Sequence, residues 1–128
     1  MKGLSVAKFE RLVIILIVLH SIGIGIGLLW SPQWAFKMAG WEDVKPLFFS
    51  RQAGAFHIVV AFAYLIEYFR YRSILILLTA KGIAVVFLFG IAALGESSWV
   101  VLFSGIADGL MGLVIFFIHR YVVKNESG

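Results

Sequence analysis

The sequence contains no cysteine and little charge, and each absence excludes a class of protein. Without cysteine the chain cannot form disulfides, perform thiol chemistry or supply thiolates to zinc or iron–sulfur clusters. Charged residues make up 14% of the 128 residues and hydrophobic residues 62%, whereas soluble domains carry about 25% charge. We expect a single domain over residues 1–128, too short to bury so much apolar surface in water. The composition therefore predicts an integral membrane protein.

Several catalytic and ligand-binding motifs are also missing. There is no P-loop, no dinucleotide fingerprint, no E-x-x-H or H-x-x-x-H metal spacing, and no matched histidine pair for haem. The net charge of +4 comes from residues at segment ends, which argues against nucleic acid as a partner. We therefore expect no cofactor, no metal and no catalytic residue. An enzyme that uses His57 and Asp108 as acid and base is the least favoured alternative.

Four apolar segments are long enough to cross a bilayer, whose core of about 30 Å requires roughly 20 residues of helix. They lie at residues 12–30, 53–69, 74–94 and 99–121. Barrel strands would be about 10 residues long with alternating polarity. The sequence therefore predicts an all-α fold, a four-helix transmembrane bundle that is mostly antiparallel because two of its links are short.

The distribution of Lys and Arg predicts that both termini are cytoplasmic. With that threading, three basic residues lie outside (Lys37, Lys45, Arg51) and seven lie inside (Lys2, Lys8, Arg11, Arg70, Arg72, Arg120, Lys124). All four tryptophans fall at the outer interface and three tyrosines at the inner one, as aromatic belts do. We expect a multi-pass protein of a bacterial inner membrane.

The long link at residues 31–50 predicts a short helix on the outer surface of the membrane. Ser31 would cap it, Pro32 would take its first position and Gly40 would end it. Its apolar face would consist of Trp34, Met38 and Trp41. Such a helix could be a lid, a docking element for a partner or a connector anchored in the interface.

Each predicted span carries one polar residue near the middle of the membrane. At about 1.5 Å per residue, the depth from the outer edge is about 6–9 Å for His57 and about 14 Å for Asp108. It is about 15 Å for His20 and about 20 Å for Lys81. A mid-helix Asp or Lys costs roughly 2.5–3.5 kcal/mol to insert, so we expect both to face inward and to pair.

Small residues accompany two of these polar groups. His20 shares a helix face with Gly23 and Gly27, and Asp108 shares one with Gly105. Because small residues let membrane helices approach closely, we expect both faces to point into the bundle.

A candidate polar site can then be defined. Its seven residues are Asp108, Lys81, His57, His20, Tyr64, Glu67 and Arg51. They could line a path or pocket for a proton, an anion or an amphiphilic ligand such as a quinone or a lipid. Alternatively, Asp108 and Lys81 form a structural pair, Glu67 reaches Arg70 or Lys81, and Arg51 anchors a lipid headgroup.

The layout resembles the DoxX-like group of small membrane proteins. The shared features are four spans in one short chain, GIGIG at 23–27, a longer link, and RQAG at 51–54 opening the second span. The resemblance implies association with membrane redox systems, including quinone-linked oxidoreductases, often in an accessory role, and it implies no catalytic residue. Two functions stay open. One is a non-catalytic accessory subunit, bound to other proteins or to a second copy, and the other is a small carrier or binding pocket.

Overall fold

The computed structural model describes residues 2–95 and 98–126, with side chains from Val6 onward. Its helices are α1 (Lys2–Trp30), α2 (Gln33–Met38), α3 (Leu47–Tyr71), α4 (Leu75–Ala93) and α5 (Trp99–Glu126). These described residues contain no β-strand. All except the short α2 are long and apolar enough to cross a membrane. The predicted four-helix bundle with a short additional helix is therefore confirmed.

The long helices run past the predicted spans at several ends. α1 begins at Lys2 and α3 at Leu47, because hydropathy marks the apolar centre of a span and not the end of its helix. The helices end where the backbone turns. α3 stops before Arg72, which is left-handed with φ 53°, and Gly95 with φ 107° follows α4. Gly95 suits this position because glycine adopts positive φ without steric cost.

The four long helices form a ring in the order α1, α3, α4, α5. α1 and α3 pack most extensively, and α3 and α4 least. The α1–α3 crossing depends on two glycines, since a Cβ added at Gly54 would lie 2.6 Å from the carbonyl oxygen of Gly25. On the other side, a Cβ added at Gly105 of α5 would lie 3.3 Å from the Phe89 ring of α4. Small residues thus set both close helix contacts, as is typical in membranes.

The hydrophobic core lies toward the end of the bundle that carries both chain termini. Its buried members are Ile14, Ile17, Val18, Ala61, Tyr64, Tyr68, Ile74, Leu77 and Ile115. Three of them, Ile14, Ala61 and Ile115, have no exposed surface. All four long helices contribute to this core, so it holds the two helix pairs together.

The short helix α2 begins one residue later than predicted. Pro32 occupies the N-cap position and makes no side-chain cap, so the predicted capping by Ser31 is wrong. Gly40, with φ 97°, lies just after the helix, as its predicted role as terminator requires.

The faces of α2 differ in exposure. Trp34 and Met38 are 65% and 70% exposed and form the predicted apolar outer face. Trp41 does not extend that face. Its ring lies 6.4 Å from the ring of Phe36, which is 5% exposed and faces the protein. Phe36 therefore anchors α2 to the bundle, while two large side chains stay free to enter a membrane interface.

Hydrogen bonds hold the α2 region against the start of α5. Ser98 Oγ donates to the carbonyl oxygen of Ala39 at 2.6 Å, and Trp99 Nε1 donates to that of Met38 at 3.1 Å. The link between α1 and α3 thus reaches across to α5 at the end of the bundle opposite the termini.

Candidate functional site

The centre of the candidate site is an ion pair between α4 and α5. Lys81 Nζ lies 2.5 Å from Oδ1 of Asp108, and the two side chains are 8% and 15% exposed. Gly112, one turn along α5, lies beside the lysine stem, because a Cβ added there would be in ordinary contact with Lys81 Cβ at 3.5 Å. The two residues that were expected to satisfy each other do so, and their charges compensate inside the bundle.

α3 adds two further polar residues to the bundle interior. His57 and Tyr64 are seven residues apart and therefore share a helix face. A Cβ added at Gly25 of α1 would lie 3.3 Å from the His57 Cβ, and Tyr64 packs in the core with Leu77 and Ile115. Tyr64 is 3% exposed and His57 is half-buried. We call Lys81, Asp108, His57 and Tyr64 the polar centre, to which three helices contribute.

The polar centre keeps unused hydrogen-bonding capacity. Within the described part of the chain, Lys81 donates one hydrogen bond and Asp108 accepts it, although an ammonium has three donors and a carboxylate can accept several. His57 and Tyr64 form no hydrogen bond to any described residue. Among the described residues, every fully buried side-chain nitrogen or oxygen has a hydrogen-bond partner. The polar side-chain atoms of His57 and Tyr64 have none, so they are not fully buried. A second molecule could therefore bond to side chains of this set, in which His57 and Tyr64 lie about 10 Å of helix rise apart.

His20 lies outside the polar centre. It is exposed on the outward side of α1 together with Gly23, around which an added Cβ would meet no atom within 4 Å. The inward face of α1 is that of Ser21 and Gly25, which are both buried. The prediction that the His20 face points into the bundle is therefore wrong.

Glu67 also has a different role from the predicted ones. Its carboxylate accepts hydrogen bonds from the backbone N–H groups of Ile76 and Leu77, at distances from 2.8 to 3.3 Å. Ser73 Oγ donates to it at 2.8 Å. Glu67 therefore caps the N-terminus of α4, where the helix dipole favours negative charge. This cap replaces the predicted contact with Arg70 or Lys81.

Apolar side chains pack around Tyr64 of the polar centre. Ile14, Leu77 and Ile115 belong to the same core as Tyr64, and none is more than 1% exposed. Ions are not solvated in such packing. At the end opposite the termini, Arg51 is exposed about 9 Å of helix rise from His57. Arg51 therefore lies outside the polar centre.

A second polar cluster was not predicted from the sequence. Tyr68 Oη donates to Glu10 Oε2 at 2.8 Å, and His119 Nδ1 lies 2.6 Å from Glu10 Oε1. Glu10 is 1% exposed. It precedes the predicted first span, but its spacing of four residues from Ile14 places it on the buried face of α1. Because both carboxylate oxygens are occupied, this cluster ties α1, α3 and α5 together.

No family model, curated protein or solved structure matches the chain. Its class follows from the fold, which is that of a small multi-pass integral membrane protein with a lipid bilayer around it. Its bundle contains a compensated ion pair between α4 and α5. Membership of the DoxX-like group stays a prediction.

Proposed function

We propose that the protein binds a small neutral amphiphilic molecule, whose polar group lies at the polar centre. The observation that supports this most directly is the unused hydrogen-bonding capacity of four side chains from three helices. Two of them, the side chains of His57 and Tyr64, form no hydrogen bond to the described protein. Purely structural polar groups are usually saturated, as Glu10 and Glu67 are in this same bundle.

The charge of the polar centre favours an uncharged ligand. Lys81 and Asp108 compensate each other at 2.5 Å, so an ionised ligand would bring an unpaired charge into an apolar interior. Such a charge costs several kcal/mol. A hydroxyl or carbonyl group carries no such cost, since Lys81 can donate to it and Asp108 can accept from it. Alcohols, quinones and quinols have the required chemistry.

The packing of the helices supports entry of this ligand from the membrane. α3 and α4 contact each other least of the adjoining helices, and they carry His57 and Lys81 respectively. A molecule with an apolar body could pass between them from the acyl chains. At the end opposite the termini, hydrogen bonds join the end of α2 to the start of α5.

A series of probes with one tail and different headgroups tests the proposal. Decanol and decylubiquinone are neutral, whereas decanoate and decylammonium are charged. Native mass spectrometry of the detergent-solubilised protein measures the fraction that retains each probe. We expect retention of the two neutral probes only. Equal retention of all four would show nonspecific partitioning and refute the proposal.

A second candidate function is that of a non-catalytic subunit of a membrane complex, or of a homo-oligomer. The exposed face of His20 and Gly23 favours it, because a histidine facing lipid at mid-depth is costly and glycine allows close helix approach. The resemblance to the DoxX-like group would make that complex a redox system. Gly23→Leu should reduce the assembly extracted in mild detergent to a monomer, whereas Gly90→Leu, on another open helix face, should not. A monomeric wild-type protein would exclude this candidate.

A further inference from the structure

An open depression lies on the last turns of α5, beyond the hydrophobic core. Its volume is about 580 Å³, and it is lined by His119, Arg120, Tyr121, Val123 and Lys124. It is separate from the polar centre, since His119 follows Asp108 by eleven residues, or about 16 Å of helix rise. The depression therefore needs an explanation of its own.

The side chains of the depression are mainly hydrogen-bond donors. Arg120 and Lys124 are cationic, and Arg120 is positioned over the Phe116 ring, 5.6 Å from its centroid. His119 is held by Glu10 through Nδ1 at 2.6 Å, and its side chain is 21% exposed. Donors grouped in this way match the oxygens of a phosphate group.

An exposed apolar stripe continues from the depression along the same helix face. It consists of Leu110, Leu113 and Phe117, which are 58%, 57% and 64% exposed. Their spacing to Arg120 and Lys124 alternates between three and four residues, which keeps all five on one face. From Arg120 to Leu110 the rise is about 15 Å, which is half of a hydrocarbon core of about 30 Å. One acyl chain of a single leaflet fits this length.

We propose that this face of α5 binds an anionic phospholipid, with its phosphate at Arg120 and Lys124 and an acyl chain along the stripe. The stripe distinguishes a lipid from free phosphate, which would use the donors alone. Basic pockets at the ends of membrane helices bind acidic headgroups by the same chemistry.

The test compares phosphatidylglycerol with phosphatidylcholine as probes in native mass spectrometry of the full-length protein. Arg120→Gln and Lys124→Gln should each weaken retention of phosphatidylglycerol about fivefold. Arg70→Gln is the matched control, because Arg70 is exposed on α3 and does not line the depression. Circular dichroism confirms that the variants, all at exposed positions, are folded.

The results separate the explanations. Selective retention of phosphatidylglycerol that is lost in the two α5 variants and kept in the control supports the proposal. Equal losses in all three variants would mean a general effect of charge and would overturn it. Complete displacement of phosphatidylglycerol by inorganic phosphate would assign the site to a free anion and would also overturn it.

Discussion

Removing the charge of either Lys81 or Asp108 should lower the unfolding free energy of the protein. Lys81→Met leaves the carboxylate of Asp108 without its partner, and Asp108→Asn leaves the ammonium without its counter-charge. Since both side chains are largely buried, each single change should cost about 3 kcal/mol or more of unfolding free energy. The double variant has no unpaired charge and should regain most of that loss. The coupling free energy should therefore be at least about 2 kcal/mol.

The wild type, the two single variants and the double variant form a double-mutant cycle. Their unfolding free energies are measured by SDS titration in mixed micelles, followed by circular dichroism. Single losses that simply add in the double variant would mean that the two charges do not compensate each other. The argument for a neutral ligand would then lose its basis.

Two further predictions concern contacts that fix the bundle. Gly54→Ala should lower the unfolding free energy by about 1–3 kcal/mol because its Cβ would meet the Gly25 backbone. The control Gly82→Ala, whose Cβ would meet nothing within 4 Å, should not lower it. The same SDS titration measures both variants, and equal effects would contradict the role of Gly54 in the close contact of α1 and α3. Glu67→Gln should lower the unfolding free energy by about 1–2 kcal/mol, because it removes the charged cap of α4. If the exposed control Glu42→Gln lowers the unfolding free energy as much, the capping role of Glu67 is contradicted.

The four spans were predictable because hydrophobic length is dictated by the bilayer itself. The Lys81–Asp108 pair was also predictable. Counting residues gives the depth of each group, and two opposite charges in hydrocarbon have few alternatives to pairing.

The orientation of α1 was not predictable in the same way. Small and polar residues occur on two of its faces, with His20 and Gly23 on one and Ser21 and Gly25 on the other. In a membrane, lipid-facing and buried positions are equally apolar, so hydrophobicity does not select between them. The choice depends on the partner glycine at position 54, which only the folded arrangement brings to Gly25.

The roles of the two buried carboxylates outside the polar centre also depend on how the helices pack. Glu10 was not predicted as a polar site, and Glu67 was predicted to make other contacts. Glu10 looks like part of a charged flank until Tyr68 and His119 are placed beside it. Glu67 reaches the start of α4 only because the link after α3 turns sharply at Arg72. Both roles depend on contacts between helices that spacing within one helix does not reveal.

The claim that the polar centre binds a neutral molecule is tested most directly by Tyr64→Phe. This change removes one hydroxyl from a ring that is 3% exposed and leaves both charges in place. If the hydroxyl contacts the ligand, the affinity for decanol or decylubiquinone should fall up to about tenfold, while Tyr121→Phe should have no effect. Unchanged affinity in Tyr64→Phe, or equal losses in the two variants, would contradict the account.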